Sequence, residues 1–184
     1  GYEVPRAALS AGAHVVDLAD ARGYILGYGA ALGALAHERG LVALAGASST
    51  PALSAAAVAA LTGGWTRIDS IDIAITPGGR SEVGQAVVAA ILSYAGRPIP
   101  IWREGELQET HGWLDGARIA MPGLGMRHVA AVETVDAQAL GPKLGVRSRV
   151  SFRAGLESPV EQHAIAMLAL LQRAGGIGEA RALS

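Results

Sequence analysis

The run Leu41-Val42-Ala43-Leu44-Ala45 is apolar at every position and stops at Gly46. A strand with no polar face has no side to give to water, so it belongs in a parallel sheet covered on both faces. The chain ahead of it fits that setting. Pro5 suits the first turn of a helix that Gly12 can end, and His14-Val15-Val16-Asp17-Leu18 reads as a short strand. Residues 23–39 then place Tyr24, Tyr28, Leu32 and Leu35 on one helical face, with Arg39-Gly40 as a basic residue and a glycine stop. The order αβαβ predicts a parallel sheet with helices on both sides.

After Gly46 the pattern changes. Ile71-Asp72-Ile73-Ala74-Ile75, Ala117-Arg118-Ile119-Ala120-Met121 and Arg149-Val150-Ser151-Phe152-Arg153-Ala154 alternate apolar with polar or small residues, so each strand buries one face only. Residues 99–107 read as two short strands joined around Glu104-Gly105, with Pro100 confined to an edge or a strand end. A mixed or mostly antiparallel sheet follows, covered by helices over 51–61, 83–95 and 159–173. In the second of these Val83, Val87, Ile91 and Tyr94 fall in register, and in the third Val160, Ala164, Met167, Leu168 and Leu171. The boundary between the two patterns lies within 46–51, which gives units of 1–47 and 48–184.

Composition removes several functions. The 184 residues carry 15 Lys+Arg against 16 Asp+Glu with the signs scattered, so the clustered cations that phosphate backbones require are missing and no nucleic-acid partner is expected. With no cysteine there is no disulfide framework, thiolate zinc site or cysteine nucleophile. His14, His37, His128 and His163 have no ligand-like neighbours at useful spacing, so no metal site is expected. The longest apolar stretches, such as 164–171, fall far short of the roughly 18 residues that span a bilayer. No membrane association is expected, and the cytoplasm is the expected compartment. The start Gly1-Tyr2-Glu3, without Met or a basic-then-apolar leader, reads as a cut inside a longer protein.

An αβαβ opening invites a search for the dinucleotide fingerprint, a Gly-rich turn between a strand and a helix that lets a pyrophosphate approach the helix N-terminus. It is missing. Gly27-Tyr28-Gly29 and Gly33 lie inside a helical pattern, and Gly123-Leu124-Gly125 and Gly176-Ile177-Gly178 read as turns. Gly46-Ala47-Ser48-Ser49-Thr50-Pro51 is more informative, because it follows a buried strand at the end where doubly wound folds bind ligands. Its hydroxyls can serve a ligand or cap the next helix. Arg80, in Pro77-Gly78-Gly79-Arg80-Ser81, is a solvated turn arginine or a partner for a carboxylate. His111 and Trp113 flank Gly112 and belong to a cleft wall, or to surface and core respectively. Asp17 and Asp20 contact a ribose or cap a turn, the turn being favoured.

Three stretches together resemble the saccharopine dehydrogenase family. Ala11-Gly12-Ala13-His14-Val15-Val16-Asp17-Leu18 is similar to that family's Gly-X-His-Tyr-Val-Asp-Leu strand. Gly46-Ala47-Ser48-Ser49-Thr50-Pro51 resembles its turn between cofactor and substrate domains, with Ser48 where members often carry Asp. Residues 102–125, with His111-Gly112-Trp113 and Pro122-Gly123-Leu124-Gly125, resemble its second-domain hairpin.

The resemblance implies an α/β protein, the end of a Rossmann-like NAD(P)-binding sheet over 1–47 followed by an α+β substrate-binding and dimerisation domain over 48–184. It implies an NAD(P)-dependent oxidoreductase acting on a small molecule as a homodimer, with NAD or NADP bound in the intact parent and neither bound to this fragment, which is inactive alone. Ser48, Ser49 and Thr50 would then lie at the cofactor, Arg80 and Trp113 at the substrate, and His111 would move a proton. The alternative is a non-catalytic binding or dimerisation domain whose sheet over 68–152 is an association surface.

Overall fold

A computed structural model describes residues 1–78 and 84–175. The chain opens with α1 (Glu3–Ser10), β1 (Val15–Val16), α2 (Arg22–Glu38) and β2 (Ala43–Leu44). The two strands pair in parallel, with Val15 opposite Ala43 and Val16 opposite Leu44. Both helices lie on one face of this pair. Leu9 of α1 meets Tyr28, Leu32 and Ala36 of α2, and Val15, Leu41 and Ala43 pack beneath them. Gly27, Gly29 and Gly33 are helical, as their periodicity predicts.

The expected cover on both faces is corrected here. Strand side chains alternate, and the outward set, Val16, Leu18 and Leu44, is 64%, 67% and 51% exposed. The all-apolar run correctly signals a parallel strand, but no described residue packs on its second face.

A wide helical turn over Ser49–Leu53 leads into α3 (Ser54–Leu61). Then follow β3 (Ser70–Ile75), α4 (Gln85–Tyr94), β4 (Pro98–Arg103), β5 (Glu106–His111), β6 (Ala117–Met121), β7 (Gly125–Ala131), α5 (Asp136–Leu144), β8 (Arg149–Ala154) and α6 (Pro159–Arg173). Among the described residues, eight strands form a two-stranded and a six-stranded sheet. In the larger one, β8 is central. β3 runs parallel along one edge in full register. Along the other edge β4 pairs antiparallel with the start of β8 and β7 with its end. β5 and β6 complete hairpins on β4 and β7. The fold is therefore mixed α and β, with one small parallel sheet and one mostly antiparallel sheet.

One face of the large sheet is buried. Ile71, Leu140, Val146 and Val150 meet Val58 of α3, and beside them Ala95, Trp113, Val132, Phe152 and Ala169 form a second cluster. The alternate positions of β3 and β8 form a polar network on the other face: the Arg149 guanidinium grips Asp72 at 2.8 and 2.6 Å, and Arg153 donates to Ser151 at 3.0 Å.

One expectation fails at the helices. In α6 the stripe Val160, Ala164, Met167 and Leu171 faces outward, Val160 being 79% and Met167 59% exposed, while Gln162 and Ala169 are buried. The cause is the tight crossing at Ala169. Gly96 sits beneath it with φ +69°, and a Cβ on Gly96 would overlap the Ala169 carbonyl oxygen, so the close face of α6 carries small residues. In α5, the missing side chain of Gly141 leaves the room that the Trp102 ring occupies. No helix among the described residues is long and apolar enough to cross a membrane.

Candidate functional site

The two units meet at the ends of the short parallel strands. After β1 the chain turns on Asp17, whose Oδ1 accepts the Ala19 N–H at 2.9 Å and whose Oδ2 accepts the Tyr24 hydroxyl at 2.6 Å. These bonds, Tyr24 foremost, hold the Asp17 carboxyl below its ordinary value and push the Tyr24 hydroxyl up to about 12. Asp17 is thus a turn former, as the local sequence favours. Its turn presents Asp20 to the junction.

After β2 the Ser48 hydroxyl donates to the Thr50 carbonyl at 2.8 Å, and Thr50–Pro51 is a cis peptide. The buried Thr50 hydroxyl donates to Asp136, as does Ser54 at the start of α3. Asp136 opens α5 and is 0% exposed, and its own N–H donates to Thr134 Oγ1 at 3.3 Å. Burying a carboxylate demands donors, and two hydroxyls supply them. Arg22, the first residue of α2, donates to Gln138 Oε1 at 2.5 Å. The first turn of α5 is therefore bound both to the linking turn and to the small unit.

Beside this junction lies a cleft of about 390 Å³, within the range of small-molecule sites. Asp20 and Thr50 line it where the parallel strands end, Glu133 and Thr134 where β7 runs out, and Tyr94 and Trp113 form a wall between α4 and the sheet. The rest is apolar, including Ile75, Ile91, Phe152 and Leu156. Burial, with smaller contributions from Glu133 and Asp20, pushes the Tyr94 hydroxyl up to about 12 against the opposing Trp113 indole N–H. Tyr94 is therefore a neutral donor at ordinary pH. The Trp113 Nε1 itself is buried without a hydrogen bond of normal geometry.

A second hollow, about 330 Å³, lies under α6 with His128, His163 and Arg118 in its wall. Its lining includes no residue of the loops after the parallel pair, where such folds place their ligands.

Of the residues singled out in the sequence, Asp20, Thr50 and Trp113 share the cleft wall. Ser48 and Ser49 belong to the same turn but do not line the cleft: Ser48 bonds within the turn, and Ser49 is exposed. His111 ends β5, paired with Pro98, and is not among the lining residues. Arg80 lies outside the described residues.

Local sequence missed Tyr94 as a polar group, and it missed Glu133 and Asp136. Tyr94 occupies a core register position of its helix, so its hydroxyl drew no notice. Glu133 does carry a signal: it is an acid directly after the apolar run Val129-Ala130-Ala131-Val132. Asp136 follows Thr134 at the spacing of a hydroxyl-capped turn. Neither a protein-family model nor a curated protein matches the chain.

Proposed function

We propose that this chain contains the substrate domain, and the adjoining end of the Rossmann-like nucleotide domain, of an NAD(P)-dependent oxidoreductase of the saccharopine dehydrogenase family. One observation carries it: the loops after both parallel strands, through Asp20 and Thr50, open onto the same apolar cleft that the larger sheet and α4 build. Ligands of parallel α/β sheets bind beyond the carboxyl ends of the strands, and pockets favour domain junctions.

In this reading the nicotinamide supplies the hydride, and the protein positions the acceptor carbon and excludes water. Thr50 stands at the cofactor side. Trp113 walls the substrate, and Tyr94, rather than His111, donates a hydrogen bond to its polar atom. These 184 residues contain no Gly-X-Gly-X-X-Gly turn after a strand, so the backbone N–H groups that hold a pyrophosphate must come from elsewhere in the parent.

The test has two arms. The chain as given, titrated calorimetrically with NADH and NADPH, should show no micromolar binding. The protein encoded by the complete reading frame should bind one of them, and Tyr94→Phe in it should lower kcat by about tenfold or more. A complete protein that binds neither nucleotide overturns the proposal.

A further inference from the structure

The cleft also states which molecules it accepts. Its walls are largely apolar, with few polar side chains among them. The Thr50 hydroxyl is spent on Asp136, and Thr134 Oγ1 accepts the Asp136 N–H. That leaves the Tyr94 hydroxyl and the buried Trp113 indole N–H in one lining with the carboxylates of Glu133 and Asp20. Among the described residues neither carboxylate has an ion-pair partner, and the described lining contains no Lys, Arg or His.

Glu133 is half-buried beside the apolar wall, so its charge is screened less than that of Asp20, which is exposed. An incoming carboxylate or phosphate meets like charge with no compensating cation among the described lining residues. A hydroxyl or an ammonium finds acceptors ready.

We infer that the ligand of this cleft is a largely apolar molecule whose polar group is a non-anionic hydrogen-bond donor, and that Glu133 sets this preference. Anionic acids are rejected by charge, independently of shape. The inference rests on the cleft being the substrate site of the proposed oxidoreductase, but it concerns binding alone and needs no nucleotide.

Three probes with one apolar body separate charge from shape: 2-naphthalenemethanol, 2-naphthylmethylamine and 2-naphthoate. Each is titrated into the intact 184-residue chain at neutral pH, with binding read by calorimetry and by chemical-shift changes. The alcohol and the ammonium should bind at least about tenfold more tightly than the carboxylate.

Glu133→Gln should weaken the ammonium and bring the carboxylate to within a few-fold of the alcohol. Val87→Trp, at an exposed position of α4 on the cleft rim, should weaken all three while leaving the circular-dichroism spectrum unchanged. A carboxylate that binds as well as the alcohol, an order indifferent to Glu133→Gln, binding indifferent to Val87→Trp, or no binding by any probe overturns the inference. Failure of nucleotide binding by the complete protein would leave these results standing, so the two proposals fail separately.

Discussion

Asp136 and Asp72 show two ways in which a carboxylate is held. Asp136 is fully buried and depends on the hydroxyls of Thr50 and Ser54. Asp136→Ala strands the buried Thr50 hydroxyl, while Ser54 keeps the Pro51 carbonyl at 3.0 Å, and opens a buried gap, at a cost of about 2–3 kcal/mol. The corresponding fall in Tm is roughly 4–12 °C, readable by calorimetry. Asp136→Asn keeps one acceptor oxygen and should lose distinctly less. Equal losses in the two variants would show that the hydroxyls are not what the side chain serves.

Asp72 lies half-exposed. The Arg149 guanidinium first, then Ser151, holds its carboxyl below the ordinary value despite some burial. A lowered folded value means that the stabilisation is present above the unfolded value of about 3.9 and is lost as pH falls through the folded one. Solvent screening limits it to about 0.5–1 kcal/mol. Urea unfolding of Asp72→Asn and the parent should therefore differ by that amount at pH 7 and converge below about pH 4. A difference that persists at low pH contradicts this account. At the residue scale, Thr50 drew notice because it follows a buried strand, whereas Trp113 left cleft and core open and belongs to both, 3% exposed in the core and part of the cleft wall. Tyr94 drew none as a cleft residue, because one side chain serves helix packing with its ring and the cleft with its hydroxyl.

Among the elements, glycine shows how far local pattern reaches. Gly29 lies within α2, exposed, with nothing near the place of a Cβ. Gly29→Ala removes backbone freedom from the unfolded chain at no cost in contacts and should stabilise by about 0.5–1 kcal/mol. Gly96 has φ +69° and meets the Ala169 carbonyl, so Gly96→Ala forces both an unfavourable backbone and a displaced α6, destabilising by about 2–4 kcal/mol. Denaturant midpoints with unchanged slopes would measure both. The same crossing explains why the face of α6 was misread. Periodicity ranks residues by hydrophobicity and so selects Val160, Met167 and Leu171, whereas a close helix crossing selects small size. Strands β3 and β8 were legible because their alternation matches a sheet buried on one side. β7 was not, since its first half, Gly125-Met126-Arg127-His128, is mostly polar and only its second half enters the core.

For the whole molecule, the decisive contacts are distant in sequence. Thr50 and Asp136 are 86 positions apart, and Arg22 and Gln138 are 116. No window of local pattern could announce them, although both ends stand at helix starts. What local pattern did announce is the small parallel pair, and its open side carries the remaining consequence. Val16, Leu18, Val42 and Leu44 form one exposed apolar face on a sheet that, among the described residues, has two strands and no partner at either edge. Apolar area of this kind contributes about 25 cal/mol per Å² when removed from water, and open strand edges offer backbone partners as well. In the 184-residue chain alone, a second copy presents the complementary surface, so the expected outcome is a homodimer joined through these faces. Light scattering over a concentration series should show the mass doubling, and Val16→Lys with Leu44→Glu should return it to the monomer without loss of circular-dichroism signal. A parent chain that stays monomeric at every usable concentration, or a dimer indifferent to both substitutions, would place the association elsewhere or deny it.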